Sequence, residues 1–441
     1  MKRLSAWVAM TGALFFAAST FLAISQAPLG SPVFFACAAA AGAAYIAILV
    51  RFWNEPVVPS KIVIAAILLA LAFRAPLVAP RVNFDSDMVR YLWDGRVQVH
   101  GFNPYHSVPS DPAMAALHTD ETRRMPSART RTPYPPGAQL FFRLVVSIHD
   151  STRTMKLALV ACDLLTILIV WRWLPLIGRP EWLVVAYAWN PLVILEIAHS
   201  GHIDAVGALW VVASAYWLTR RRPALASIGL VMAIATKLLP IVLLPLFWRR
   251  VRIRDACAAA AFLGALYLLY TKNGVLPFGA VPNVIAYIRF NGPLFRAVAL
   301  TTTPQAAALF AVLSGIVVAA WCRWKLGSDH PSSWAWPMAT ALASAPVIYP
   351  WYLLYFTPFL VSVAVLPLTA WTLTVISTYI VWQLAHEYGA RWAVPWAVML
   401  GEYAVPIVVA AAVLGRSRIG ARLHARKPDS AQATDSVEGI T

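Results

Sequence analysis

Residues 223–248 read PALASIGLVMAIATKLLPIVLLPLFW, and how this stretch is cut decides how often the chain crosses a membrane. As one helix it would put Arg249, Arg250, Arg252 and Arg254 on the opposite side from the other basic loops. Lys237 and Pro240 interrupt it, since proline removes a helix hydrogen bond and clashes with the preceding turn. Two short helices, 223–236 and 238–248, keep the arginines with the remaining basic clusters and put Lys237 on the other side. Such breaks are tolerated at membrane depth where they line a protein cavity.

The flanking sequence supports that treatment. The 441 residues are 60% hydrophobic and only 12% charged, with mean hydropathy +0.66, whereas a soluble chain carries about 25% charged residues. Apolar runs near the roughly 20 residues that span a bilayer fall at 5–25, 31–50, 62–79, 156–175, 181–199, 203–219, 223–236, 238–248, 255–271, 304–322, 333–348, 351–366, 368–386 and 394–414. Lipid-facing loops and open sheet edges are forbidden, so the class is an all-α polytopic membrane protein of about 12–14 transmembrane helices, with both termini inside. Four parts follow: N-terminal transmembrane helices at 1–79, an external loop with interfacial helices at 80–155, a transmembrane bundle at 156–414, and a cytoplasmic basic tail at 415–441. The bundle's external loops lie near 199–204, 272–303, 349–352 and 386–393.

The net charge of +17 is a topology signal. Lys2, Arg3, Arg51, Lys61, Arg172, Arg179, Arg220 to Arg222, Arg249 to Arg254, Arg323 and Lys325 gather between apolar runs, as cytoplasmic loops require. No nucleic-acid partner is expected. Cys37, Cys162, Cys257 and Cys322 sit in apolar runs without metal-ligand spacing and read as small hydrophobes. Leu4 to Ile24 reads as a retained first helix, because no cleavage site follows it.

The external loop carries FDSDMVRYLWDGRVQ at Phe84–Gln98. As a helix from Asp87, at about 100° per residue, it aligns Asp87, Tyr91, Asp94 and Gln98 into a polar stripe. The expectation is a surface helix whose stripe faces a cavity, capped by Asp85 or Asp87. A carboxylate there can take a proton from an attacking hydroxyl. Asn103 and Tyr105 in GFNPY (101–105) and Tyr134 in YPPG (134–137) join turn-forming residues to aromatic faces, which suit either a rigid loop or a sugar ring. His199, His202 and Asp204 share one helix junction. They read as a metal site, as cavity lining or, for Asp204, as a helix cap, with no metal favoured. Lys237, Arg289, Arg296 and His386 are cations or cation-formers at the outer boundary, suited to a phosphate or to lipid headgroups. Tyr349, Trp351 and Tyr352 form a further aromatic group.

Taken in order over roughly 80–400, these motifs, with WNP at 189–191, GHID at 201–204, TKLLP at 236–240 and YPWY at 349–352, resemble bacterial GT-C-fold glycosyltransferases. The likeness is greatest to polyprenyl-phosphate-mannose-dependent mannosyltransferases, including glycosyltransferase family 87. The resemblance implies a GT-C-like bundle in a bacterial plasma membrane with its site facing outward. It implies inverting transfer of a hexose, mannose foremost, from a polyprenyl-phosphate sugar to a glycolipid or glycan acceptor. Asp87 maps onto the general base and Lys237 onto a donor-phosphate ligand; no cofactor is required. Two features depart from the family: Asp85-Ser86-Asp87 replaces adjacent acids or a single acid, and two spans precede the usual first loop. A transporter or flippase of a lipid-linked sugar is the rival reading. It would place ionisable groups at mid-membrane and show inverted repeats, yet Arg74 and Asp163 are the notable intramembrane charges and no repeat is visible.

The broken-helix topology makes a cysteine at position 237, in a background free of the four native cysteines, reactive to a membrane-impermeant maleimide added from outside. Protection of that cysteine would overturn the topology.

Overall fold

The computed structural model describes residues 2–80, 86–125 and 127–425, with side chains as far as Arg416. The described residues are helical without β-strands; two isolated bridges, Lys272–Val275 and Phe290–Val347, are the only β-type pairings among them. Helices α1 (Lys2–Ser25), α2 (Pro32–Trp53) and α3 (Ser60–Val78) pack together at the N-terminus. After the loop come α4 (Asp87–Val99), α5 (Pro136–Ile148) and α6 (Thr152–Leu176).

Among the described residues, seven helices are long and apolar enough to cross a membrane: α1, α2, α3, α6, Pro304–Lys325, Val363–Tyr388 and Trp396–Arg416. An eighth candidate is the pair Glu181–Ala188 and Pro191–His199, bent by 54°. Pro191 has no amide hydrogen for the ladder, and the Asn190 side chain caps the restart by accepting from the Leu192 amide. The remaining apolar runs fold as shorter pieces, including Asp204–Thr219, Pro223–Thr236, Ile253–Leu268 and Pro331–Ala343. Within 223–248 the α-helix ends at Thr236. Lys237 is extended at φ −161°, ψ 144°, and a 3-10 run resumes at Leu239–Phe247. The last helix continues to Ala425, past the expected boundary at 414; the tail beyond it lies outside the described residues.

One ion pair organises the interior. Arg74 on α3 bonds Asp163 on α6, with both side chains buried. Asp163 also accepts from the Tyr187 hydroxyl at 2.7 Å. Arg74 Nη1 reaches the carbonyls of Ala70 at 2.7 Å and Ala188 at 3.0 Å. Three segments are thereby joined at a depth where an unpaired charge costs most. Phe15 and Phe73 stack beside them at 4.4 Å, Trp189 meets both edge-on, and its Nε1 donates to the Ala66 carbonyl at 2.8 Å.

α4 differs from its expected form. Its cap is Ser86, whose hydroxyl accepts from the Met88 amide at 3.2 Å, in place of either aspartate. It is an internal helix: Met88 through Gln98 are all buried. Gly95 permits this, because a Cβ there would lie 2.6 Å from Val146 Cγ2 and 2.7 Å from the Phe142 carbonyl on α5. The opposite face, Val89, Trp93 and Val97, packs on Met114 and Met125 of the loop.

Arg74→Leu leaves Asp163 buried without its cation and is expected to cost about 3–5 kcal/mol, with the Arg74→Leu/Asp163→Leu double variant recovering much of that loss. Thermal unfolding of the detergent-solubilised proteins measures both; a double variant less stable than either single one would contradict it.

Candidate active site

The first turn of α4 opens onto a cavity of about 800 Å³, lined among others by Asp87, Arg96, Lys156, His202, Trp351 and Tyr379. That volume is in the range of small-molecule sites. Gly201 makes the arrangement possible. It turns the chain at φ +77°, a conformation L side chains rarely adopt, and a Cβ there would lie 1.8 Å from Met88 Cε. The absence of a side chain lets the start of α4 press against the turn between the bent segment and helix Asp204–Thr219. Asp87 Oδ2 consequently lies 3.9 Å from His202 Nδ1.

His202 is held on three sides. Its Nε2 is 3.3 Å from Glu196 Oε2, on a π turn at Leu195–His199, a local form frequent at functional sites. The Tyr379 hydroxyl donates to Glu196 at 2.7 and 2.9 Å. The ring stacks on Trp351 at 4.0 Å, and Trp351 stacks in turn on Tyr349 at 4.5 Å, all three nearly parallel. Both faces of Trp351 are therefore covered, and it offers the cavity its edge in place of a platform for a sugar ring. Burial, then the charge of Lys237 and then His199, push the His202 pKa well below the usual imidazole value. His202 is neutral at working pH.

Lys237 lies behind this wall. Its Nζ is 2.7 Å from Asp204 Oδ1 and 3.8 Å from the centroid of the Tyr352 ring. A lysine at a broken helix needs an anion, and in this fold Asp204 supplies it. His202 and Asp204 thus face different partners, and among the described residues no group of three or more His, Cys, Asp or Glu is arranged to hold a metal.

The other sequence candidates divide clearly. His199 lines the cavity. Tyr91 is buried, stacked on Phe142 at 4.5 Å, with its hydroxyl accepting from the Ile203 amide at 3.4 Å. Asp94 is fully buried and takes Arg90 Nε at 2.8 Å and Gln139 Nε2 at 2.9 Å. Gln98 bonds Gln139 and accepts from the Tyr270 hydroxyl. Only Asp87 of the expected stripe lines the cavity; burial of α4 turns the rest into packing. Asn103 donates to the Tyr270 carbonyl, and the Tyr105 hydroxyl to the Tyr134 carbonyl, so these residues brace the loop. Arg289 bonds the carbonyls of Ile285, Ala286 and Ile288, and Arg296 and His386 are exposed. None of these three lines the cavity. Asp85 lies outside the described residues.

Sequence reasoning passed over Glu196, Lys156 and Tyr379. Glu196 had a signal, because an acid inside an apolar run is costly unless it has a partner. Lys156 opens α6, and its Nζ donates to the carbonyls of Leu77 and Pro80, each at 3.2 Å.

Residues 5–251, more than half of the chain, match the family described as alpha-(1->6)-mannopyranosyltransferase (MptA/B), N-terminal domain. The chain belongs to this family. It is a multi-pass membrane mannosyltransferase, working on a sugar donor and an acceptor. No curated protein and no solved structure matches it. The matched region of the mannosyltransferase contains Asp87, Lys156, Glu196, His202 and Lys237, whereas Trp351 and Tyr379 come from beyond it.

Gly201→Ala forces its Cβ into Met88 and strains the turn, and should lower mannosyl transfer at least about tenfold while the protein still folds. Adding Met88→Ala removes the collision and should restore part of the activity in an initial-rate assay. Wild-type rates for Gly201→Ala would show that this close approach does not set the site.

Proposed function

We propose that the enzyme transfers mannose from a polyprenyl-phosphate-linked mannose to a hydroxyl of a glycolipid or glycan acceptor, in one inverting displacement with Asp87 as general base. The observation that carries this reading is one cavity lined by both a carboxylate, Asp87, and an ammonium, Lys156, at the end of an apolar helix. An acceptor hydroxyl needs a base as it attacks. A departing phosphate needs its charge met, and preorganised donors do this best in a site shielded from water.

Lys156 suits the phosphate. Its carbonyl partners Leu77 and Pro80 flank the C-terminal end of the α3 span, the level at which a lipid phosphate sits. Leu22, Ala27 and Leu29, from the end of α1 and the connection to α2, add an apolar side to the same cavity, which fits an isoprenoid chain. Lys237, already neutralised by Asp204, is assigned the holding of the Asp204 turn. One displacement requires a single catalytic carboxylate, so Asp85 needs no separate chemical role. Charge stabilisation by Lys156 leaves no step that calls for a metal. The distribution of the basic loops supports a site on the outer face of a bacterial plasma membrane under the positive-inside rule. The transporter reading gains nothing from Arg74 and Asp163, which neutralise each other in the core.

The purified enzyme, given polyprenyl-phosphate mannose and a mannoside acceptor, tests this reading. Asp87→Asn is expected to lose about 10²–10⁴-fold in kcat, and Lys156→Met to weaken use of the lipid-phosphate donor without loss of fold. Undiminished transfer by Asp87→Asn would remove the base, and use of a sugar nucleotide with equal efficiency would remove the lipid-linked donor.

A further inference from the structure

Among the polar atoms of the cavity wall, His202 Nδ1 is buried and has no hydrogen-bond partner. Its surroundings fix what that atom can do. Glu196 accepts a hydrogen bond from the Tyr379 hydroxyl and faces His202 Nε2 at 3.3 Å. A ring proton held on Nε2, toward Glu196, leaves Nδ1 as an acceptor on the side of Asp87. The 3.9 Å between Nδ1 and Asp87 Oδ2 is longer than a hydrogen bond. A proton on Asp87 would let the pair close to hydrogen-bond length, about 2.7 Å.

We propose that His202, oriented by Glu196 and clamped by Trp351, is a positioning residue for the base, accepting through Nδ1 the hydrogen bond that Asp87 donates once it has taken the acceptor's proton. The inference rests on Asp87 being the base. In the displacement the acceptor O–H bond breaks and its proton passes to Asp87. The acceptor oxygen bonds the anomeric carbon, the carbon–oxygen bond to phosphate breaks, and the electron pair leaves on the phosphate. The new Asp87 O–H donates to His202 Nδ1, and the proton then departs to water in the cavity. The imidazole takes no charge at any stage.

The groups facing His202 agree with a neutral ring. Lys237, paired with Asp204, approaches from behind, and His199 lies on the same turn; both disfavour a second ring proton. Glu196 and Asp87 face the two nitrogens. Around Asp87 the cavity adds the cations Lys156 on α6 and Arg96 on α4, the latter paired with Asp150 at 2.6 Å, and the acids Asp120 and Glu121 of the loop. The variants below leave these charges in place.

The sign of a pH shift tests the proposal. Transfer needs ionised Asp87, so kcat/KM falls on acidification through its pKa. A neutral acceptor beside Asp87 stabilises its protonated form, so removing that acceptor moves the acid limb to lower pH; removing an imidazolium would move it to higher pH. His202→Phe keeps a flat ring against Trp351 and removes the nitrogen. It should shift the acid limb down by about one pH unit and lower kcat roughly tenfold with donor KM unchanged. His202→Asn, which can present Oδ1 near the Nδ1 position, should return the limb toward the wild-type value. An unmoved limb in His202→Phe, or one moved to higher pH, overturns the proposal while inactive Asp87→Asn leaves the base intact. Wild-type transfer by Asp87→Asn overturns the base and the proposal together.

Discussion

A charge buried in an apolar bundle must meet its opposite there, and the Arg74–Asp163 pair is where this enzyme meets that demand. The pair joins α3 to α6, and through Tyr187 and the Ala188 carbonyl it joins both to the bent Glu181–His199 segment. Lys156 and His199 of the cavity lining lie on these elements. Lys156 begins α6 and hooks the end of α3; Glu196 and His202 follow the bend. A shift of one against another would separate the cation from the turn that carries the imidazole.

The same rule of pairing governs the wall itself. Asp94 answers Arg90, Asp204 answers Lys237, and Arg96 answers Asp150. These pairs use up charges that would otherwise compete for a ligand, and they leave two kinds of group turned to the cavity. Asp87 stands half-buried at the start of α4, and His202 stands beside it with a buried Nδ1 that has no hydrogen-bond partner. Lys156 lines the same cavity. The division fits a transfer in which one proton and one phosphate must be handled at different points.

Aromatic residues do less carbohydrate work here than their number suggests. Trp351 is sandwiched between His202 and Tyr349, Tyr352 lies against Lys237, and Tyr91 and Tyr134 pack around Phe142. Their faces hold neighbouring side chains at fixed angles.

Class, helical architecture and the break at Lys237 were legible in the sequence, because each rests on local physics. Apolar run length, proline's missing amide hydrogen and the distribution of lysine and arginine act within a few residues. Partner choice was not legible. Nothing within a few positions of Asp94, Lys237 or Trp351 says that Gln139, Asp204 or His202 will cover it, since those partners arrive from 45, 33 and 149 residues away. The stripe of α4 was expected to face a cavity from a surface helix; instead the helix is internal and only Asp87 of the stripe lines the cavity, because Gly95 and Gly201 let neighbouring segments close over it. The sequence by itself determined that the chain enters the membrane and where its helices break. Only the tertiary structure decided which charges cancel and which remain for chemistry, because that depends on contacts made after the helices pack.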